Sequence, residues 1–120
     1  MTSTEQLERQ VKSIADDLTN GVTADEEFAE YNEDVEVGDN INAWVYFQAS
    51  LDMDFTINSD GTYKSATITV AVGGPHIYID TKTNVVIGRW GSDNIEWGYV
   101  DNLGVDGYCE EMFDNLGFAR

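Results

Sequence analysis

The clearest pattern of apolar and polar positions runs from Tyr63 to Asp80. Over residues 63–72, small and β-branched residues alternate with a period of two, which is typical of a strand with one buried face. Gly73-Gly74-Pro75 interrupts the pattern, and residues 76–80 form a second strand. In the first strand the alternation predicts one face made by Ala66, Ile68, Val70 and Val72, and the other made by Tyr63, Ser65, Thr67 and Thr69.

Further short strands surround these two. Residues 52–57 alternate polar and apolar, and the turn residues Asn58-Ser59-Asp60-Gly61 connect them to the strand at 63–72 as a β-hairpin. Turns at 82–84 and 91–94 then separate strands at 85–90 and 95–99. Short strands joined by short turns indicate an antiparallel meander of about four to five strands within residues 51–99.

Helical periodicity marks both ends of the chain. Leu7, Val11, Ile14 and Leu18 form one apolar stripe over residues 3–20, and Gly21 is a natural stop. Within residues 101–117, apolar residues starting at Val105 recur with helical spacing as far as Gly117. We therefore predict an α+β fold in a single domain, residues 1–120, with helices covering one face of the sheet.

Residues 1–50 are predicted to be acidic and mainly helical. Thr23 and Glu26 have the spacing of a capping box, which predicts a short helix over residues 23–31. Residues 40–50 fit a helical face and a strand alternation about equally. Asp39 could cap a helix that begins there, and we favour the helix.

The most unusual property of the chain is its net charge. The chain has 23 acidic and 6 basic residues, net −17, and the first sixty residues alone carry 15 acidic and 2 basic ones. Such a field repels nucleic acid and anionic membranes and attracts basic protein surfaces. The densest run, which we predict to bind a partner, consists of eight carboxylates within fifteen residues: Asp25, Glu26, Glu27, Glu30, Glu33, Asp34, Glu36 and Asp39.

Catalytic signatures are absent from the sequence. His76 is the only histidine, and Cys109 is the only cysteine, so neither a catalytic triad nor a cysteine zinc site can be assembled. Asp52 and Asp54 share a strand face and offer a metal-dependent hydrolase as a minor alternative. We predict no enzyme activity, no cofactor and no metal. No signal peptide or span of about 18 apolar residues is visible, which predicts a cytoplasmic protein of a bacterial cell.

Aromatic residues offer a second kind of binding surface. Trp90 and Trp97 are candidate interface anchors, together with Trp44, Tyr78 and Tyr99, if the sheet leaves one face open. The alternative is that these rings cover the core beneath the helices. Cys109 lies in the apolar stripe of the last helix and is expected to be a buried small residue.

Five short motifs lie within residues 51–116: Leu-Asp-Met-Asp-Phe (51–55), Asp-Gly-Thr-Tyr (60–63), Val-Gly-Gly-Pro-His-Ile-Tyr-Ile-Asp-Thr (72–81), Trp-Gly-Ser-Asp (90–93) and Cys-Glu-Glu-Met-Phe (109–113). Through these motifs, residues 51–116 resemble small proteins of phages and bacterial mobile elements. Small size and strong acidity are also similar to phage anti-defence proteins, which include anti-CRISPR proteins and DNA mimics.

Two functions follow as expectations. The first is an inhibitor whose carboxylates stand in for phosphates and bind the basic nucleic-acid-binding surface of a host protein, such as a CRISPR effector nuclease. It would contact no nucleic acid itself. The second is a non-catalytic adaptor that binds through aromatic residues of an open sheet face. The sequence leaves the oligomeric state open.

Overall fold

The polypeptide folds into four helices and seven strands in a computed structural model that describes residues 3–31, 33, 35–48 and 50–116. The N-terminal elements are α1 (Ser3–Asn20), β1 (Val22–Thr23), α2 (Glu26–Tyr31), β2 (Asn40–Ile41) and α3 (Ala43–Tyr46). The remaining elements are β3 (Asp52–Ile57), β4 (Tyr63–Ala71), β5 (His76–Asp80), β6 (Val85–Trp90), β7 (Asp93–Gly98) and α4 (Val105–Asn115). The predicted α+β class is confirmed.

Strands β3 to β7 form one antiparallel sheet in sequence order, as the meander predicted. Each connection is a short turn, and the five strands lie within one residue of the predicted bounds except at β7. There the turn is shorter than predicted, so that β7 begins at Asp93 rather than at residue 95. A separate two-stranded ribbon is formed by β1 and β2.

The predicted faces of β4 are right in the middle of the strand and wrong at its ends. Ile68 is fully buried between Met53 on β3 and Ile79 on β5. The register with β3 shifts between Tyr63 and Ser65, and the register with β5 shifts after Thr69. Each extra residue reverses the faces beyond it. Tyr63 therefore points towards α4, while Val72 is 59% exposed.

Helix α1 packs across β6 and β7, and α4 packs on β4. We call the side of the sheet under these helices the helix-packed face; it includes Ile68, Ile79 and Val86, all fully buried. Gly88 allows α1 to approach closely, since a Cβ atom there would lie 2.5 Å from the Val11 Cγ2 atom and 2.7 Å from the Leu7 Cδ1 atom. The predicted apolar stripe of α1 is the surface that meets the sheet.

The segment between α1 and β3 departs most from prediction. Helix α2 begins at Glu26 rather than residue 23, because Asp25 accepts a hydrogen bond from the Phe28 N–H and takes the capping role predicted for Thr23. Residues 40–50 combine the strand β2 with the short helix α3, whose cap is Asn42 and not Asp39. Ala49 lies outside the described residues.

Helix α4 begins later than the predicted residue 101, at Val105. The Asp101 carboxylate accepts hydrogen bonds from the N–H groups of Gly104 (3.0 Å), Val105 (2.7 Å) and Asp106 (3.1 Å). Three otherwise unpaired donors at the start of the helix are thus satisfied by one side chain. The predicted stop, Gly117, lies outside the described residues.

None of the described helices is both long and apolar enough to cross a bilayer.

Candidate partner-binding surfaces

The acidic run lies on a loop whose two ends are held together. We call residues 24–39 the acidic loop. Its base is the β1–β2 ribbon, in which Val22 pairs with Ile41 and Thr23 with Asn40. Directly above the ribbon, the Ala24 N–H donates to the Asp39 carbonyl oxygen at 2.8 Å, and the Gly38 N–H donates to the Ala24 carbonyl oxygen at 2.9 Å. Backbone pairing therefore fixes where the loop leaves the fold and where it returns.

Two of the eight predicted carboxylates shape this loop. Asp25 accepts from the Phe28 N–H at 2.8 Å and caps α2, and Asp39 accepts from the Glu36 N–H at 2.9 Å. The other five described carboxylates are exposed: Glu26, Glu27, Glu30, Glu33 and Glu36. Asp34 lies outside the described residues. The predicted site thus divides into two structural aspartates and a set of solvent-facing glutamates.

Helix α2 presents three of these glutamates. Phe28 and Ala29 are half-buried, whereas Glu26, Glu27 and Glu30 face solvent. Six helical residues rise about 9 Å, which gives about one negative charge per 3 Å. A single DNA strand carries one charge per roughly 3.4 Å of helix axis. The linear charge density of α2 is therefore close to that of one strand.

The predicted tryptophan anchors lie on the helix-packed face. Trp90 packs against the core, and its indole nitrogen lies beside Gly74 at the Gly-Gly-Pro turn. Trp97 pairs with the buried Val86, so both side chains point to the same side of the sheet. Trp97 is 38% exposed, and the Lys12 ammonium group lies 5.5 Å from its ring centroid. Trp97 keeps an accessible edge beside α1.

The other three aromatic candidates are distributed differently. Trp44 donates from its indole nitrogen to a Glu111 carboxylate oxygen at 3.3 Å and packs edge-on against Tyr108. Tyr99 is buried. Only Tyr78 of the five named aromatic residues lies on the face opposite the helices, so the predicted aromatic patch on that face is not formed.

We call the face opposite the helices the open face. On it, Tyr78 lies next to Thr69 on one side and next to Ile87 on the other. The guanidinium carbon of Arg89 is 5.7 Å from the Tyr78 ring centroid, and the His76 ring meets the Tyr78 ring edge-on at 5.6 Å. Strand alternation alone places His76 and Tyr78 on one face, but the contact of Arg89 with Tyr78 depends on the β5–β6 register and could not be predicted from the sequence.

The carboxylate pair proposed for a hydrolase is spread along an exposed edge. Asp52 pairs with Thr69 and Asp54 with Thr67, both on the open face. Asp60 accepts from both the N–H and the hydroxyl of Thr62, and these bonds lower its pKa while they close the turn after β3. Within the described part of the chain, no three histidine, cysteine, aspartate or glutamate side chains gather as metal ligands do.

Cys109 lies on the buried side of α4 with no exposed surface, as the apolar stripe predicted. Burial, with smaller contributions from the nearby Asp106 and Asp101 carboxylates, raises the pKa of its thiol to about 12. The Tyr63 hydroxyl, which donates to Asp106 at 2.7 Å, has a smaller, opposing effect on the Cys109 pKa. A neutral, inaccessible thiol does not act as a nucleophile.

We expect native Cys109 to react slowly with a thiol reagent. A rise in pKa from 9.0 to about 12 lowers the thiolate fraction near pH 8 by about 1,000-fold, and burial blocks access as well. Labelling should become fast in denaturant. A matched control moves the thiol to the exposed end of the same helix, in a chain with Cys109→Ala and Asn115→Cys. Native Cys109 that labels as fast as this control would disprove burial.

The chain matches no protein-family model, no curated protein and no solved structure. Its function is therefore inferred from its own residues.

Proposed function

We propose that this protein binds a basic protein surface through the exposed glutamates of the acidic loop and thereby excludes nucleic acid from that surface. The observation that carries the proposal is the density of solvent-facing carboxylates on a loop closed at its base. The chain contains no lysine or arginine between Lys12 and Lys64, so no sequence neighbour neutralises the loop. Its charge remains available to a partner.

The closed base matters for affinity. A free acidic tail would lose conformational entropy on binding, at roughly 1 to 2 kcal/mol for each backbone residue that becomes ordered. Here the ribbon and the two structural aspartates already hold the loop. A larger share of the electrostatic attraction is then retained as binding free energy.

The proposed target is a host defence nuclease, such as a CRISPR effector, and the proposed role is that of a non-catalytic, anti-CRISPR-like inhibitor of phage or mobile-element origin. Such a nuclease holds its heteroduplex in a positively charged channel that reads backbone shape rather than sequence. Exposed carboxylates at about the linear charge density of one DNA strand suit this kind of channel. Small size and strong acidity, which are similar to those of phage anti-defence proteins, support the same target.

A second candidate is an adaptor that binds through the open face. The contacts of Tyr78 with Arg89 and His76 favour it, since tyrosine and arginine are enriched among interface residues that dominate binding. Trp97, although on the other face, adds an accessible ring at the β7 edge. This mode would depend on packing more than on charge.

The dependence of binding on salt concentration distinguishes binding through the acidic loop from binding through the open face. Binding to a set of guide-loaded CRISPR effector nucleases should compete with double-stranded DNA and weaken by tenfold or more between roughly 50 and roughly 200 mM salt. The measurement is inhibition of DNA cleavage together with a binding titration at each salt concentration. Binding that is insensitive to salt, or that leaves DNA binding unchanged, would exclude phosphate mimicry and favour the open face.

A further inference from the structure

An open cleft lies where helix α1 meets the end of β7 and the turn between β5 and β6; we call it the α1–β7 cleft. Its volume is about 530 Å³, and its lining includes Asp16, Thr19, Asn84, Trp97 and Val100. The Val100 N–H donates to the Thr19 hydroxyl oxygen at 3.0 Å, and the Tyr99 N–H donates to the Asn84 carbonyl oxygen at 3.0 Å. These bonds join all three walls, so the cleft is preformed.

Helix α1 runs beside β7 in the same direction. Three contacts follow one another along both elements: Thr4 with Asp93, Lys12 with Trp97, and Thr19 with Val100. Between the first contact and the last, helix and strand both rise by about 23 Å. Asp16 follows Lys12 by one helical turn, about 6 Å further along α1. The Asp16 carboxylate therefore lines the cleft together with the Trp97 ring.

The α1–β7 cleft is suited to a cation. An indole ring attracts cations, and the Lys12 ammonium group already lies 5.5 Å from the Trp97 ring centroid. Asp16 is exposed, whereas Asp17 accepts a hydrogen bond from the Tyr46 hydroxyl at 2.9 Å. The C-terminal end of a helix carries partial negative charge, and the last turn of α1 contains no basic residue. Ring, carboxylate and helix end all favour positive charge in the cleft.

We propose that the α1–β7 cleft binds an arginine side chain of a basic protein partner. The guanidinium group stacks on Trp97 and donates hydrogen bonds to the Asp16 carboxylate, and the aliphatic stem lies against Val100, which is 60% exposed. Arginine suits this pair of groups better than lysine. Its planar guanidinium can stack on an aromatic ring and also donate two parallel hydrogen bonds to one carboxylate.

The identity of the partner rests on the proposed function, because the cleft lies close to the acidic loop. Thr19 precedes Ala24, the first residue of that loop, by five residues, which span at most about 18 Å. One basic surface can therefore contact the exposed glutamates and place an arginine in the cleft. The loop supplies attraction by charge, and the cleft adds recognition of one side chain.

The test is an NMR titration of the full chain with N-acetyl-arginine methylamide, followed through the indole N–H signal of Trp97. N-acetyl-citrulline methylamide is the matched control, since citrulline has nearly the shape of arginine without its charge. We expect the arginine probe to shift the Trp97 signal and to bind roughly 3- to 30-fold more tightly than the citrulline probe. Equal binding of the two probes, or no shift of the Trp97 signal, would overturn the proposal.

Two pairs of variants test the charges around the ring. Asp16→Asn should weaken binding of the arginine probe roughly 2- to 5-fold relative to Asp54→Asn, which neutralises an exposed aspartate on β3. Lys12→Gln should strengthen it relative to Lys64→Gln, because it removes a like charge that lies over the ring. Circular dichroism checks each fold. Equal affinities within both pairs would show that the probe binds elsewhere.

The acidic-loop variant Glu26→Gln, Glu27→Gln, Glu30→Gln and Glu33→Gln separates this inference from the proposed function. At roughly 150 mM salt the Debye length is about 8 Å, so the variant should bind the arginine probe like the original chain. If the variant loses nuclease inhibition while the original chain binds both probes equally, the proposed function stands and the cleft is wrong. If the variant keeps full inhibition while the arginine probe still shifts Trp97 and binds more tightly than the citrulline probe, the cleft stands and the proposed function is wrong.

Discussion

Replacing Ile68 with alanine is expected to lower the free energy of unfolding by about 2 to 5 kcal/mol. Ile68 has no exposed surface and lies on an interior strand of the sheet, between Met53 and Ile79. Phe113→Ala should cost about 3 to 5 kcal/mol, because its ring packs 5.4 Å from Phe55 and 5.9 Å from Tyr63, measured between centroids. Either loss is large for a domain whose total stability is of the order of 5 to 15 kcal/mol.

Val72→Ala is the matched control. The alternating pattern places Val72 on the same face as Ile68, but the register shift after Thr69 leaves it 59% exposed. Its replacement should change the free energy of unfolding by less than about 0.5 kcal/mol. Thermal and denaturant unfolding measure all three variants. Stability unchanged in both Ile68→Ala and Phe113→Ala would show that the core lies elsewhere.

The sheet was predictable because its signals are local. Strand alternation and turn residues such as Asn58-Ser59-Asp60-Gly61 act over a few positions, and each strand pairs with the next along the chain. Helix α1 was predictable for the same reason, since its apolar stripe needs only one broad surface to pack on.

The faces at the ends of β4 were not predictable from alternation. A register shift depends on how two strands pair, and one extra residue reverses the side on which Tyr63 or Val72 lies. The short elements between residues 22 and 46 were also hard to predict from the sequence. Strands of two residues and helices of four to six are set by tertiary contacts and capping side chains more than by periodicity.

The sequence alone predicted which residues form the acidic loop, but not which of its carboxylates have structural roles and which are exposed. Counting carboxylates found the acidic loop, yet only the structure separates Asp25 and Asp39, which bond to the backbone, from the exposed glutamates. For the tryptophans, the sequence left open whether they face out or cover the core. Their position was settled by pairing, as when Trp97 lies opposite the buried Val86.

Replacing Glu26, Glu27, Glu30 and Glu33 with glutamine is expected to weaken binding to a basic partner by roughly 30- to 1,000-fold. The range corresponds to about 2 to 4 kcal/mol if each exposed charge pair contributes up to about 1 kcal/mol. The residual affinity should also depend less on salt. The fold should survive, because these side chains are exposed and Asp25 and Asp39 still hold the loop.

The matched control neutralises four exposed glutamates elsewhere, Glu5, Glu8, Glu96 and Glu110. Both variants change the net charge from −17 to −13, so a difference between them reports the position of the charges rather than their sum. If both variants lose the same amount of binding affinity, the partner is attracted by the overall charge of the protein and not by the acidic loop.

Trp97→Ala, at a ring that is 38% exposed, tests the aromatic alternative. If the loop variant inhibits like the original chain while a folded Trp97→Ala chain does not, phosphate mimicry is wrong, and the binding surface includes the β7 edge.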